Sequence, residues 1–143
     1  MASTWDDKLL LGVREMDAQH KEYFRRTDQL MELCLADVPP REFIKTFDFL
    51  RAYVQFHFSH EEGLMAEHAY PEMAFHQSQH RWFAGEVDVL TSAAQAGDVA
   101  SHSLKLNALL IDWFRSHIQK VDRKLALYLI ERTKPAPKAK GQI

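Results

Sequence analysis

The sequence predicts an all-α fold, an up-down-up-down antiparallel four-helix bundle with an N-terminal arm. Apolar residues recur at alternating spacings of four and three along four long segments, which is the pattern of a buried helix face. Only five glycines and five prolines occur, and most of them lie between these segments rather than inside them. The connections at 37–40, 69–73 and 96–99 are short, and short connections favour antiparallel neighbours.

The first two helices are predicted from a cap and two apolar stripes. Asp17 can cap the first helix, whose buried face carries His20 and Phe24 and ends before Pro39. The second helix begins at about Arg41, and its stripe becomes polar toward its C-terminal end. That stripe consists of Phe43, Phe47, Leu50, Val54, His57, Glu61 and Leu64.

In the third helix the polar residues of the stripe lie at the N-terminal end, before the apolar ones. A break at Tyr70-Pro71 precedes this helix, and its stripe continues to Gly97. The fourth helix is expected from about Val99 to Glu131, with His117 past its midpoint. Antiparallel packing of the four helices would bring all the polar positions to one level.

Residues 1–131 are expected to form a single domain, since a chain of 143 residues with 46% hydrophobic content can bury one core. Residues 1–16 are irregular but apolar, and we expect an arm that packs on the bundle. Residues 132–143 contain two prolines and three lysines and have nothing to bury, so a disordered tail is predicted.

Composition excludes several classes of function. A net charge of -2 gives no basic field for a nucleic-acid partner. No apolar run approaches the roughly 18 residues of a membrane span, and the N-terminus lacks the pattern of a signal peptide. Cys34 is the only cysteine, so no intrachain disulfide is possible. We therefore expect a cytoplasmic monomer.

Seven potential metal ligands fall at helical positions of the predicted stripes. A spacing of four places two donors one turn apart on the same helix face. Buried imidazoles and carboxylates are costly without partners, and metal coordination would satisfy them. The seven residues are His20, His57, Glu61, His76, His80, His117 and Asp122.

The number of donors predicts a dinuclear centre. A structural zinc ion takes about four ligands, so seven donors exceed one zinc site. Two octahedral ions offer about twelve positions, of which five imidazoles, two bridging carboxylates and one bridging solvent oxygen fill about eleven. One ion would then have three histidines, and the other would have two histidines and an open position for a small diatomic ligand.

One pair of donors does not fit a regular helix. His117 and Asp122 are five residues apart, which separates their side chains by roughly 140° in an α-helix. A π-bulge between residues 117 and 122 would accommodate the additional residue, and such bulges are common at functional sites. We therefore predict a local π-helical turn here.

The sequence excludes two other metal-binding motifs. His60-Glu61 begins like the HExxH motif of zinc proteases, but position 64 is leucine. Ferritin-like di-iron enzymes use Glu-x-x-His, and no glutamate in this sequence has a histidine three residues later. The remaining histidines, His60, His68 and His102, are interpreted as ordinary residues.

The four donor segments resemble those of the hemerythrin family, in particular the bacterial hemerythrins. The resemblance extends from Trp5 to about Leu129 and matches all seven ligands of the family. It implies an iron held by His76, His80 and His117, an iron with an open position held by His20 and His57, and bridging by Glu61 and Asp122. The matching segments are Met16-Asp17-Ala18-Gln19-His20-Lys21, His57-x-x-x-Glu61, His76-x-x-x-His80 and His117-Ile118-Gln119-Lys120-Val121-Asp122.

The resemblance also implies a function. It predicts reversible O2 binding at a non-haem centre of two oxo- or hydroxo-bridged Fe ions, for oxygen storage, transport or delivery, rather than enzyme activity. Trp113, Phe114 and Ile118 match the positions that line the family's O2 pocket, and Phe114 stands where many members have leucine. Two alternatives stay open: an O2, redox or nitric oxide sensor, and a di-iron peroxidase or nitric oxide-processing enzyme. The expected protein partner is an oxygen-consuming or signalling protein.

Overall fold

Four long helices account for most of the structure, a computed structural model that describes residues 4–36, 39–97 and 102–133. No strand occurs within these residues. The all-α fold and the four helices predicted from the sequence are therefore confirmed. The helices are α1 (Arg14–Leu35), α2 (Pro40–Glu67), α3 (Met73–Gln95) and α4 (residues 103–133).

Consecutive helices run antiparallel. α1 packs on α2, α2 packs on α3, and the middle of α4 lies against α1. Tyr53, at the middle of α2, donates a hydrogen bond to the backbone oxygen of Gln19 near the start of α1 (3.1 Å). Gln77, near the start of α3, donates to Glu62 near the end of α2 (3.1 Å). The polar ends of these helices therefore meet at one level, as an up-down-up-down bundle requires.

Asp17 does not cap the first helix, and that prediction is wrong. α1 begins at Arg14, and Val13 precedes it without a side-chain cap. The Asp17 carboxylate instead accepts hydrogen bonds from the backbone N–H groups of Leu11 (2.8 Å) and Gly12 (3.1 Å). Gly12 has a φ of 88°, a left-handed conformation that glycine adopts without strain. Asp17 therefore fixes the turn that leads from the arm into α1.

The N-terminal arm packs on the bundle over its described residues. A short 3₁₀ helix, Asp7–Leu9, places the side chain of Leu9 in the core, where it is 1% exposed. The hydroxyl of Thr4 donates to Asp28 on α1 (2.7 Å), and the guanidinium of Arg115 on α4 donates to the Thr4 backbone oxygen. These contacts join the arm to both α1 and α4.

α4 changes its hydrogen-bond pattern twice along its length. The predicted π-helical turn is confirmed, since the turn spans Ile118–Asp122. A second π-helical segment, Ala108–Trp113, was not predicted from the sequence. The segments in order are α-helical Ser103–Asn107, π-helical Ala108–Trp113, α-helical Phe114–His117, π-helical Ile118–Asp122 and α-helical Arg123–Thr133.

The ends of the chain are only partly described. α4 continues to Thr133, so the first two residues of the predicted disordered tail are helical, and residues 134–143 lie outside the described part. The predicted start of the fourth helix at Val99 also lies outside it. Over residues 4–36, 39–97 and 102–133, no helix combines the length and apolar character that crossing a bilayer requires.

Candidate metal centre

Each of the four helices contributes donors to one buried cluster. α1 supplies one histidine, α2 a histidine and a glutamate, α3 two histidines, and α4 a histidine and an aspartate. The structure thus brings together all seven side chains that the sequence singled out. They are His20, His57, Glu61, His76, His80, His117 and Asp122, each at most 3% exposed.

The carboxylate of Glu61 lies between two sets of imidazoles. Its Oε1 is 3.1 Å from Nε2 of His80 and 3.4 Å from Nε2 of His76. Its Oε2 is 3.2 Å from Nε2 of His57 and 3.4 Å from Nε2 of His20. The two oxygens of one carboxylate therefore face different histidines.

The two carboxylate oxygens of Asp122 also face different histidines. Its Oδ1 is 3.0 Å from Nε2 of His76 and 3.1 Å from Nε2 of His117. Its Oδ2 is 3.1 Å from Nε2 of His20. Both carboxylates consequently present one oxygen to each set.

The five histidines form two groups, the three-histidine half (His76, His80 and His117) and the two-histidine half (His20 and His57). Together with Glu61 and Asp122, the ligand atoms of each half all lie within 4.8 Å of one another. Donors at this mutual distance can surround a shared cation. Two halves that share both carboxylates form a geometry suited to two adjacent cations.

The donor atoms have no hydrogen-bond partners, although they are close together. This holds for every Nε2 of the five histidines and for all four oxygens of Glu61 and Asp122. Buried polar atoms without partners are rare, because each has lost its hydrogen bonds to water. A cation would satisfy nitrogen and oxygen atoms that converge in this way. Five imidazole nitrogens and four carboxylate oxygens fit two transition-metal ions.

The charges of the metal-free cluster are balanced by protons. Although burial opposes ionisation of the rings, the adjacent Asp122 and Glu61 carboxylates raise the pKa of His20 and of His76 to about 9. Burial lowers the pKa of His57, so that ring stays neutral. Despite their burial, the facing imidazoles hold the pKa of Glu61 and of Asp122 well below its usual value. Two imidazolium rings thus offset two carboxylates until a metal replaces their protons.

Two of the histidines have hydrogen-bond partners on the outer side of the ring. Nδ1 of His57 lies 2.7 Å from the amide oxygen of Gln19, and Nδ1 of His80 lies 2.9 Å from Oε2 of Glu62. A proton on Nδ1 leaves Nε2 with a free lone pair that points into the cluster. Neither Gln19 nor Glu62 was predicted from the sequence as part of the site. Their positions, directly beside His20 and Glu61 in the chain, were the available signal.

Aromatic rings cover both halves of the cluster. Phe58 is stacked on His80 with the ring centroids 3.8 Å apart. The Phe114 centroid is 6.1 Å from that of His57 and 6.3 Å from that of His20. Tyr23 packs on Phe114 at 3.6 Å. The two-histidine half is therefore bordered by the ring of Phe114, on which Tyr23 packs.

Two of the three residues expected in the O2 pocket contact different halves of the cluster. Trp113 is stacked on His117, with centroids 4.8 Å apart, and on Phe83 at 4.7 Å, so its ring covers the three-histidine half. Phe114 adjoins the two-histidine half. Ile118 is fully buried within the hydrophobic core, directly after His117 in the π-helical turn.

Phe56, which precedes His57 in the chain, is 56% exposed and does not cover the cluster. A surface cleft of about 320 Å³ lies against the three-histidine half, since His76 and His117 are among its lining residues. Lys120 and Lys124 are also among them. Solvent therefore approaches the cluster from the side of the three-histidine half.

Among curated proteins, the chain is similar to the bacteriohemerythrins of several bacteria. The identity is 25% with that of Clostridium acetobutylicum, over 84% of this chain and 95% of that protein. It is 29% with that of Campylobacter jejuni subsp. jejuni serotype O:23/36, over 92% and 98%. It is 32% with that of Methylococcus capsulatus, over 75% and 80%.

A solved structure shows the same fold. The crystal structure of wild-type hemerythrin superposes with a TM-score of 0.76 at 27% identity, covering 90% of this chain and 97% of that one. Residues 11–129 match the family described as the hemerythrin HHE cation binding domain. Because this match spans most of the sequence and includes all seven converging donors, the chain belongs to the hemerythrin family.

Proposed function

We propose that the cluster holds two iron ions and that the protein binds O2 reversibly at this non-haem di-iron centre. The observation that carries the proposal is that Glu61 and Asp122 each direct one oxygen to the three-histidine half and the other to His20 or His57. This arrangement supports bridging by both carboxylates. Similarity to proteins named bacteriohemerythrin supports iron as the metal.

The unequal number of histidines supports an O2 site in the two-histidine half. Two octahedral ions that share both carboxylates and one solvent oxygen have about one position unfilled, on the side that has fewer imidazoles. That side is the two-histidine half of His20 and His57. When bound there, ferrous iron would supply an open coordination position and the electrons that O2 requires.

The protein's own task in this function is to hold the ligands and exclude water. The Phe114 ring beside the two-histidine half and the Tyr23 ring that packs on it are fully buried. The Tyr23 hydroxyl donates to the backbone oxygen of Leu110 (2.7 Å), and burial raises its pKa, so it stays protonated and engaged. These residues provide a dry apolar wall, which suits a binding protein rather than an acid-base catalyst. The physiological role we propose is storage of O2 in the cytoplasm or its delivery to an oxygen-consuming enzyme.

Anaerobic loading with iron(II) followed by repeated O2 exposure and deoxygenation tests this function. We expect two irons per chain and an absorption spectrum that appears with O2 and disappears when O2 is removed. Less than two irons per chain would overturn the dinuclear centre. Rapid irreversible oxidation without a reversible O2-bound species would overturn the carrier function and favour the redox sensor or the enzyme.

A further inference from the structure

The outer hydrogen bonds of the cluster differ in charge between its two halves. His80, in the three-histidine half, faces a carboxylate, whereas His57, in the two-histidine half, faces a neutral amide. A ligating histidine commonly donates its second N–H to such an acceptor, and the acceptor fixes the ring and strengthens the ligand. The identity of each acceptor is therefore a property through which this chain can distinguish its two metal positions.

Glu62 is held in place by two groups on α3. Its Oε2 lies 2.9 Å from Nδ1 of His80, and its Oε1 accepts a hydrogen bond from the side-chain amide of Gln77 (3.1 Å). Glu62 is on α2 beside Glu61, so its contacts join α2 to α3 directly outside the cluster. About a third of its side chain is exposed, which leaves the carboxylate partly hydrated.

Gln19 is the corresponding hydrogen-bond acceptor for the two-histidine half. Its amide oxygen lies 2.7 Å from Nδ1 of His57, and its backbone oxygen accepts from the Tyr53 hydroxyl (3.1 Å). These contacts join α1 to α2. An amide orients the imidazole as a carboxylate does, but it adds no negative charge next to the metal position.

The charge of the acceptor changes how strongly an imidazole binds a cation. A carboxylate that accepts the Nδ1 proton draws it partly away from the ring and raises electron density at Nε2. The negative charge also attracts the cation directly, and this attraction is stronger near a low-dielectric core than in water. An amide provides neither effect to the same extent.

We propose that Glu62 and Gln19 are positioning residues of the metal centre, and that the charge of Glu62 makes the three-histidine half the tighter cation site. This inference rests on the proposed function, because it assumes that the seven donors hold two metals. It predicts stepwise loading, with the first ion in the half that contains His80. The Gln19 amide keeps the second half weaker and easier to open to a ligand.

Titration of the metal-free full-length protein with Co2+, in competition with a chelator, tests the proposal. Glu62→Gln keeps the size and the hydrogen-bonding capacity of the side chain and removes its charge. We expect about tenfold weaker binding in the first step, with the second step unchanged. Gln19→Glu should strengthen the second step and leave the first unchanged.

Glu67→Gln is the matched control, since it removes the same charge from an exposed residue of α2. Its binding should equal that of the unsubstituted protein. Gln77→Ala retains the charge of Glu62 but removes the amide that holds it, and should weaken the first step by a smaller factor. Thermal unfolding of each metal-free variant, together with the NMR signal of the His80 Nδ1 proton, separates these effects from a loss of folding.

Failure of the inference about Glu62 and failure of the proposed dinuclear centre give different results in this titration. Equal binding of Co2+ by Glu62→Gln and the unsubstituted protein would overturn the inference, and so would equal weakening of both steps. If the unsubstituted protein binds fewer than two Co2+ ions, the dinuclear centre fails before the variants are compared. Two bound Co2+ ions with the first step weakened only in Glu62→Gln and Gln77→Ala would support the inference.

Discussion

His117 and Asp122 are five residues apart, yet Nε2 of His117 lies 3.1 Å from Oδ1 of Asp122. In a regular α-helix this spacing would turn the two side chains about 140° away from each other. The π-helical turn Ile118–Asp122 accommodates the additional residue, so that both side chains point into the bundle. α4 can therefore contribute both an imidazole and a bridging carboxylate.

Deleting Gln119 should convert this π-helical turn into an α-helical one and preserve the cluster. Gln119 is exposed, and its loss leaves the two ligands four residues apart, a spacing that also places them on one face. We expect two Co2+ ions per chain in the deletion variant. Its thermal midpoint should be at least as high as that of the unaltered protein, because π-helical turns are rare and less favourable.

An alanine inserted after Gln119 is the control for the deletion. It separates the ligands by six residues and turns the carboxylate farther from the cluster, so at least one of the two Co2+ ions should be lost. Equal loss of Co2+ binding in both variants would show that the π-helical turn itself, and not the shared face, is required.

The metal-free protein should lose stability as the pH rises from 6.5 to 9. The pKa of His20 and of His76 is about 9 in the folded protein, against about 6.5 for an unperturbed histidine. The folded state therefore binds more protons, and its stabilisation is complete below pH 6.5 and disappears as the pH rises through 9. We expect the thermal midpoint of the metal-free protein, measured by circular dichroism at constant ionic strength, to fall by several degrees over this range.

In acid, the metal-free protein should lose stability as the pH falls. The pKa of Glu61 and of Asp122 lies well below its usual value, so their contribution is present above about pH 4 and disappears as the pH falls through the lowered values. His76→Asn should reduce the alkaline fall, because His20 alone then contributes to it. It should weaken the acid limb only in part, because His20 and His57 still face Glu61. A midpoint that does not change between pH 6.5 and 9 would contradict charged rings at His20 and His76.

Periodicity alone was sufficient for the helices and for the convergence of six of the seven donors, because each of these six continues an apolar stripe. His20, His57 and His76 each lie where the next core residue would be, so the burial of the stripe also buries them. The interval between His117 and Asp122 predicted the π-helical turn because two ligands on one face exclude a regular α-helix.

The roles of residues outside the apolar stripes were harder to predict from the sequence. Gln19 and Glu62 lie beside ligands at the flanks of their helices, and only the packing of neighbouring helices brings them to His57 and His80. The side on which Trp113 lies depends on the direction of its ring, which the spacing of residues in α4 does not determine. The start of α1 was predicted too late because Asp17 has the residue type of a cap but hydrogen-bonds to the arm.

Phe114→Leu should loosen the wall beside His20 and His57. Phe114 is completely buried against Tyr23, and a leucine would leave part of its volume empty, at a cost of about 1–2 kcal/mol. Under the proposed function, O2 association and autoxidation should both become faster in the iron-loaded variant, as measured by flow spectrophotometry.

Phe47→Leu gives the matched control, since Phe47 is almost as buried but packs on Phe43 among the apolar residues of α2. It should lose a similar amount of stability with unchanged O2 kinetics. Kinetics that are the same in Phe114→Leu and in the unsubstituted protein would remove Phe114 from the control of O2 access.

Tyr23→Phe should destabilise the π-helical segment Ala108–Trp113. The Tyr23 hydroxyl donates a 2.7 Å hydrogen bond to the backbone oxygen of Leu110, within that segment, and both residues are fully buried. Removing the donor deletes one buried hydrogen bond to this carbonyl, which costs about 0.5–1.5 kcal/mol of unfolding free energy in chemical denaturation. Tyr53→Phe removes a hydroxyl that is half-buried and 3.1 Å from its acceptor on Gln19, so its cost should be smaller. Equal costs for the two variants would mean that the Leu110 carbonyl finds another donor, and that Tyr23 supports the wall through its ring alone.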